Sequence, residues 1–216
     1  MTKKVLAIHG AFSTPVIFNY LVDKCGPYKI TCVDYSEHAH SIQEAVDHLR
    51  CVISKQTSPF HLVGHSMGGL LALALKDLPG VQSISTIATP LCGLEYNFLL
   101  YWLNTSALVS DLYHFHPFVR NLHNQTYDLP IQHLISTRGH NPLIWQPNDG
   151  VVTLASQNNW HVGAQHLIAS NHAEIMINPQ TARVLKQFWN NLSLTQQKKH
   201  VDCVGIKEII NVDGQD

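Results

Sequence analysis

A serine lies inside a cluster of glycines in the GHSMG segment at residues 64–68. A serine hydroxyl is a weak nucleophile on its own, but it attacks carbonyl carbons when a neighbouring base removes its proton. The segment directly follows an apolar run at residues 60–63, and a single further glycine separates it from another at residues 70–75. A G-x-S-x-G segment between a strand and a helix is typical of a sharp turn that exposes a nucleophilic serine.

The glycines at both ends of this segment are what such a turn requires. Side chains two residues before and two residues after Ser66 would collide with neighbouring backbone, which favours Gly64 and Gly68. The turn would place the Ser66 hydroxyl at a helix N-terminus, where free N–H groups favour developing negative charge. The alternative interpretation is a turn of small residues that packs a helix closely on a sheet.

The surrounding elements follow an alternation of short apolar runs and helical patterns. This alternation predicts an α/β fold with a mostly parallel sheet of about six strands and helices on both faces. Ser41 and Glu44 form a capping-box pattern that opens one helix, and Asn178 and Pro179 open the last one. The predicted strands are residues 5–8, 30–33, 60–63, 84–88, 132–135 and 166–169.

One long segment interrupts the alternation. Residues 91–130 are rich in Phe, Leu, Tyr and Trp, and a connection of this length inside a compact domain is usually a lid or a binding loop. The alternative is a pair of ordinary core helices. We predict a single domain over residues 1–192 that contains this insert, followed by a tail at 193–216 to which the sequence assigns no role.

The G-x-S-x-G turn and the alternation resemble the α/β-hydrolase superfamily, in particular its small lipase-like and esterase-like serine hydrolases, over about residues 5–192. In that family the serine is followed along the chain by an acid after a late strand and by a histidine after the last strand. The resemblance therefore implies that Asp149, in an Asn-Asp-Gly turn, is the acid. It implies that His172, in the loop after the last predicted strand, is the base.

Both assignments have alternatives. Asp149 could simply form an Asx-type turn, because Asn-Asp-Gly is a turn sequence in its own right. The chain has 15 histidines, and His140, His161 and His166 are close enough in sequence to compete with His172. The position of His172 after the last strand favours it, because His166 lies within that strand and His161 precedes it.

The resemblance also implies an oxyanion hole. The family takes one backbone N–H from the residue after the nucleophile, here Met67, and another from the loop after the first strand. The His-Gly pair at residues 9–10 occupies that loop, so the second donor would be Ala11, with Phe12 as the next candidate.

These residues predict a serine ester hydrolase that cleaves carboxylic esters of apolar acyl chains through an acyl-enzyme on Ser66. The substrate would be a small ester or a lipid, and the insert is a candidate for transient contact with a membrane or lipid surface. A thioesterase or acyltransferase with the same three residues, and a non-catalytic binding protein of the same fold, remain open. The predicted substrate-binding residues are Phe12, Phe98, Leu99, Tyr101 and Trp102.

The composition excludes several other classes. The 14 basic and 15 acidic residues form no basic patch of the kind that binds nucleic acid. The five cysteines have no metal-like spacing, which predicts reduced thiols.

We predict neither a cofactor nor a metal, although the His-x-His pairs at 38–40 and 114–116 suggest a metal site. The start has no apolar run of signal-peptide length, which favours the cytoplasm, with secretion by a signal-independent route as the alternative. The oligomeric state is left open.

Overall fold

The computed structural model describes residues 3–94, 111–113 and 116–194. All six predicted strands form, and they belong to one sheet in which every adjacent pair is parallel. The order across the sheet is β2-β1-β3-β4-β5-β6. The strands are β1 (Lys3–Ile8), β2 (Tyr28–Val33), β3 (Phe60–His65), β4 (Val81–Ile87), β5 (Ile131–Ser136) and β6 (Ala164–Ile168).

Helices connect the strands, as a parallel sheet requires. Two short 3₁₀ segments, Pro15–Phe18 and Glu174–Ile177, accompany them. In the described part of the chain the helices are α1 (Asn19–Lys24), α2 (Ile42–Ile53), α3 (Met67–Ala74), α4 (Pro117–His123), α5 (Leu154–Asn158) and α6 (residues 179–194).

The core has two layers, one on each face of the sheet. On one face, helices α2, α3 and α4 pack on strand residues such as Leu62 and Ile84. On the other face, α1 and α6 pack on residues such as Val63 and Leu134, and Trp189 of α6 is fully buried there. Every residue of β3 is buried, as expected for a central strand covered on both sides.

The predicted capping box at the start of α2 is present. The Ser41 side chain accepts a hydrogen bond from the Glu44 N–H, and the Glu44 carboxylate accepts one from the Ser41 N–H. Asp111 adds a third contact at this helix end, because its carboxylate accepts from the Ile42 N–H at 3.0 Å. Asp111 belongs to the insert, so the middle of the insert is attached to the N-terminus of α2.

Much of the insert lies outside the described residues. Its described parts are residues 91–94, 111–113 and 116–130, which include α4. The prediction that Phe98, Leu99, Tyr101 and Trp102 bind substrate falls on residues that the structure does not describe, as does most of the predicted tail.

Three further findings bear on the expectations from composition. Within residues 3–94, 111–113 and 116–194, no helix is long and apolar enough to cross a membrane. The same residues contain no group of three or more His, Cys, Asp or Glu side chains arranged to hold a metal ion. Four cysteines, Cys25, Cys32, Cys51 and Cys92, are free thiols.

Candidate active site

Ser66 occupies the junction between β3 and α3. Its φ of 55° and ψ of −127° place it in a strained region of backbone space for a residue with a side chain. Its N–H donates to the Ile87 carbonyl of the adjacent strand at 2.8 Å, and its carbonyl accepts from Gly69 N–H at 3.0 Å. The strand, the turn and the helix therefore form in the order that the sequence predicts, and the serine lies at the N-terminus of α3.

The glycines of this turn are required by close backbone contacts. A Cβ atom at Gly64 would overlap the backbone of Gly68, and a Cβ at Gly68 would overlap the Ile8 carbonyl at the end of β1. A Cβ at Gly10 would approach the Ser66 Cβ to 2.8 Å. The loop after β1 therefore lies directly against the serine, and a side chain at Gly10 or Gly68 would push this loop away from the turn.

Asp149 is buried, with a relative exposure of 1%, and its two carboxylate oxygens have different partners. Oδ1 accepts from the backbone N–H groups of Val151 and Val152 at 3.0 and 2.7 Å, which is the predicted Asx-type turn. Oδ2 lies 2.8 Å from Nδ1 of His172. The turn interpretation and the proposed pairing with histidine therefore hold together, one on each oxygen.

Two side chains that the sequence analysis did not identify complete the partners of Asp149. The Ser136 hydroxyl, at the end of β5, donates to Oδ2. The Gln157 side-chain amide, on α5, donates to the same oxygen at 3.0 Å, and its carbonyl oxygen accepts from the Ser136 N–H. The carboxylate therefore receives five hydrogen bonds, which fix its orientation.

These contacts determine the protonation of Asp149. Burial by itself would raise the pKa of the carboxyl, but the hydrogen bond and charge of His172, with the donors Ser136 and Val152, outweigh it and hold the pKa below its ordinary value. The side chain is therefore an anion at neutral pH. Since a carboxylate only accepts hydrogen bonds, Nδ1 of His172 carries a hydrogen and Nε2 is the nitrogen left free to accept a proton.

The backbone of His172 is also fixed. Its N–H donates to the Asp149 carbonyl at 3.0 Å, and its own carbonyl accepts from Nε2 of His65 at 3.0 Å. Ser66 and His172 both line one cavity. Among the described residues no hydrogen bond yet joins the two side chains, and in unliganded sites such contacts often tighten only when substrate binds.

The loop after β1 is held by His9, which is 2% exposed. Its Nδ1 donates to the Gly10 carbonyl at 2.9 Å, and its Nε2 lies 3.0 Å from the Asp34 carboxylate at the end of β2. The carbonyl and the N–H of a trans peptide point in opposite directions, so the Ala11 N–H points away from the His9 ring. Ala11 itself lines the cavity beside Ser66.

The cavity that contains Ser66 and His172 has a volume of about 370 Å³. This is within the range of ordinary small-molecule sites. Its polar side chains are those of Ser66, His65, His172 and Asn141, and the rest of its wall is largely hydrophobic. The apolar side chains that line it are Ala11, Phe12, Pro90, Leu94, Leu112, Val151 and Val152.

Backbone strain is concentrated around this cavity. In the described residues, only Phe12, Ser66 and Ala88 combine a side chain with a clearly positive φ, at 54°, 55° and 49°. All three follow the carboxyl ends of neighbouring strands. Such strain persists where the surrounding structure requires it, often at functional sites. Phe12 is also 77% exposed at the cavity mouth, an unusual position for a large apolar side chain.

Three buried histidines predict a loss of stability in acid. Burial lowers the pKa of His65 to about 3, with the nearby His172 adding to the effect, and lowers the pKa of His61 and His133 to about 4. An unfolded histidine titrates near 6.5, so the unfolded state binds more protons as the pH falls below 6.5. Each group therefore removes up to about 1.4 kcal/mol of stability per pH unit until its folded pKa is reached.

Urea unfolding at pH 7.5, 6.5, 5.5 and 4.5 measures this slope. We expect the free energy of unfolding to stay nearly level above pH 6.5 and to fall steeply below it. His61→Gln should reduce the slope, whereas a control substitution at the exposed His161 should not change it. A free energy of unfolding that stays constant down to pH 4.5 would contradict the neutral state of these histidines.

The fold and this turn together define a class of protein: a parallel sheet in β2-β1-β3-β4-β5-β6 order with a serine on the turn after β3. Residues 5–134, more than half of the chain, match the model of the alpha/beta hydrolase family. The chain therefore belongs to the alpha/beta hydrolase family. A search of curated proteins finds no match to this sequence.

Solved structures share this fold at low sequence identity. A Bacillus licheniformis lipase superposes with a TM-score of 0.67 at 16% identity, covering 88% of this chain and 92% of its own. An alpha/beta hydrolase from a lagoon-sediment metagenome gives a TM-score of 0.64 at 18% identity, with 88% and 92% covered. A lipase-esterase related protein of Clostridium acetobutylicum gives 0.58 at 16% identity, with 87% and 94% covered.

Proposed function

We propose that the protein is a serine ester hydrolase that cleaves carboxylic esters of apolar acyl chains. The observation that carries the proposal is the hydrogen bond of 2.8 Å between Asp149 and His172, in a cavity that the strained Ser66 also lines. A buried carboxylate that orients a histidine next to a serine is the arrangement that activates a hydroxyl for acyl transfer. The family membership supports the same class of reaction.

In the proposed reaction, Nε2 of His172 removes the Ser66 proton while the oxygen attacks the ester carbonyl carbon. The carbonyl oxygen becomes an oxyanion and is stabilised by the backbone N–H groups of Met67 and Ala11. His172 then returns the proton to the leaving alcohol as the carbon–oxygen bond breaks. A water molecule, deprotonated by the same nitrogen, releases the carboxylic acid and restores Ser66. Asp149 keeps Nδ1 protonated and stabilises the imidazolium in both steps.

The lining of the cavity supports an apolar acyl group. An alkyl chain placed against Leu94, Leu112 and Val152 would be removed from water, and each buried CH₂ would favour binding by about 0.8 kcal/mol. We propose that Phe12, exposed at the mouth, covers part of the bound chain. The roles of Phe98, Leu99, Tyr101 and Trp102 in substrate binding stay predictions from the sequence.

A series of p-nitrophenyl esters with acyl chains of increasing length tests this substrate class. Because each added methylene buries more apolar surface, kcat/KM should rise several-fold per added CH₂ until the cavity is filled. Matched glyceride and acyl-thioester substrates in the same assay separate ester hydrolysis from a preference for thioesters. Activity confined to acetyl esters would contradict the apolar acyl pocket, and a preference for thioesters would assign the site to the alternative reaction.

A further inference from the structure

His65, the variable residue of the G-x-S-x-G segment, joins the nucleophile to the proposed base. It ends β3, immediately before Ser66, and it is 4% exposed. Its Nε2 lies 3.0 Å from the carbonyl oxygen of His172. Because a carbonyl oxygen only accepts hydrogen bonds, Nε2 of His65 carries the hydrogen and donates it.

Among the described residues, the other ring nitrogen of His65 has no hydrogen-bond partner. Nδ1 is buried and, within the described residues, makes no hydrogen bond. A second hydrogen on Nδ1 would be a buried, unpaired donor on a charged ring, so the ring is neutral and its Nδ1 lone pair is bare. An unpaired buried nitrogen costs stability, and the chain accepts that cost at the residue adjacent to Ser66.

The neutral state matters because the two rings are close. The centroids of the His65 and His172 rings are 5.0 Å apart. In the proposed reaction His172 becomes positively charged, and a second positive ring at this distance would oppose that charge. The other charged or titratable groups that act on His65 are Asp149 and His9. Burial keeps the pKa of His65 near 3, so the ring can hold His172 without competing for its proton.

The hydrogen bond from His65 completes the fixation of His172. Asp149 holds the imidazole through Nδ1 and the backbone N–H through its carbonyl, at 2.8 and 3.0 Å. These two bonds tie His172 to the acid loop, and neither ties it to the turn that carries Ser66. The bond from His65 to the His172 carbonyl is a direct link between that turn and the loop of the base.

We propose that His65 is a positioning residue, which sets the distance between Ser66 and the His172 imidazole by donating from a neutral ring to the His172 carbonyl. The inference rests on the proposed function. A displacement of about 1 Å between reacting groups can reduce a rate by about 10²-fold. Loss of this hydrogen bond should therefore lower kcat far more than it changes KM.

Two substitutions separate the hydrogen bond from simple packing. His65→Gln keeps an N–H donor the same number of bonds from the Cα atom, whereas His65→Phe keeps an aromatic ring and removes the donor. We expect His65→Phe to lower kcat on the best p-nitrophenyl ester by 10- to 100-fold with KM within about twofold. His65→Gln should retain kcat within about threefold of the wild type. If His65→Phe does not fold, His65→Asn, whose amide is one bond shorter, should show the same loss.

A second readout does not depend on turnover. The proton between His172 Nδ1 and Asp149 gives a far-downfield proton NMR resonance, which should broaden in His65→Phe and stay sharp in His65→Gln. A role in packing alone would leave this resonance unchanged.

The two proposals fail in different ways. A wild-type protein without ester hydrolysis would contradict the proposed function. An active wild type combined with a His65→Phe kcat within twofold of it would overturn the positioning role. Equal losses in His65→Phe and His65→Gln would overturn it as well, because the donor would then make no difference.

Discussion

Ser66→Ala is expected to lower kcat for ester hydrolysis by about 10⁴- to 10⁶-fold. The substitution removes the oxygen that would form the acyl-enzyme in the proposed mechanism and leaves the rest of the site in place. Among the described residues, Ser66 makes only two hydrogen bonds, both through its backbone, and alanine retains both. The residual rate should therefore come from the oxyanion donors and from substrate binding, and KM should change little.

A loss of activity in Ser66→Ala can be assigned to the missing hydroxyl only if the variant folds. Alanine and serine both carry a Cβ atom, so the positive φ of residue 66 costs about the same for each. The urea midpoint should therefore stay close to that of the wild type. Ser83, which is buried on β4 and hydrogen-bonded to His61 at 2.8 Å, offers a matched serine-to-alanine control outside the cavity lining. Ser83→Ala should cost stability and leave kcat largely unchanged. Full activity in Ser66→Ala would exclude the proposed mechanism.

His172→Ala should cause a loss of the same order as Ser66→Ala. Without the imidazole the Ser66 hydroxyl loses the base that the proposed mechanism assigns to it, and residues that act as one unit give losses that do not add. The double variant Ser66→Ala/His172→Ala should therefore be no slower than either single variant. The measurement is kcat for the three proteins on one ester.

Asp149→Asn tests the orientation of His172, whereas His172→Ala removes the base itself. An asparagine at 149 can present an N–H to His172, which favours the wrong tautomer, and a loss of about 10⁴-fold is expected. The substitution also disturbs the hydrogen bonds that Ser136 and Gln157 donate to the side chain of residue 149. A lower urea midpoint should therefore accompany the loss of activity. If the losses of Ser66→Ala and His172→Ala were additive in their double variant, or if His172→Ala kept the normal rate, the base would have to be another residue.

Much of the fold was predictable because its signals are local. The apolar runs gave all six strands to within a few residues, and Ser41 with Glu44 marked the start of α2. The G-x-S-x-G turn was predictable for the same reason: its glycines are required by contacts within a short segment and with the neighbouring strand. Local sequence specifies these features without knowledge of the tertiary structure.

The partners of Asp149 were not predictable, because they come from separate elements. Ser136 ends β5 and Gln157 lies on α5, and only the packed fold brings both to one carboxylate oxygen. An acid flanked by turn residues carries no signal for either. Ser136 has a weak signal in retrospect, since the carboxyl ends of parallel strands are where ligand sites form in open α/β sheets.

The histidines illustrate the same limit. In the sequence, His9 is recognisable only as part of a His-Gly pair. In the fold its ring donates to the Gly10 carbonyl and is held on its other side by Asp34 at the end of β2. His65 was visible as the variable residue of the motif, but its bond to the His172 carbonyl joins residues more than a hundred positions apart. Contacts of this kind follow from topology, not from local pattern.

The most direct test of the central claim is covalent labelling by a fluorophosphonate, followed by mass spectrometry of the intact protein and of its peptides. Such a probe reacts with a serine only when a neighbouring base activates it. We expect one adduct on the wild type, located on Ser66, and none on Ser66→Ala or, at the same exposure, on His172→Ala. An unlabelled wild type, or an adduct that persists in Ser66→Ala, would contradict the proposed mechanism.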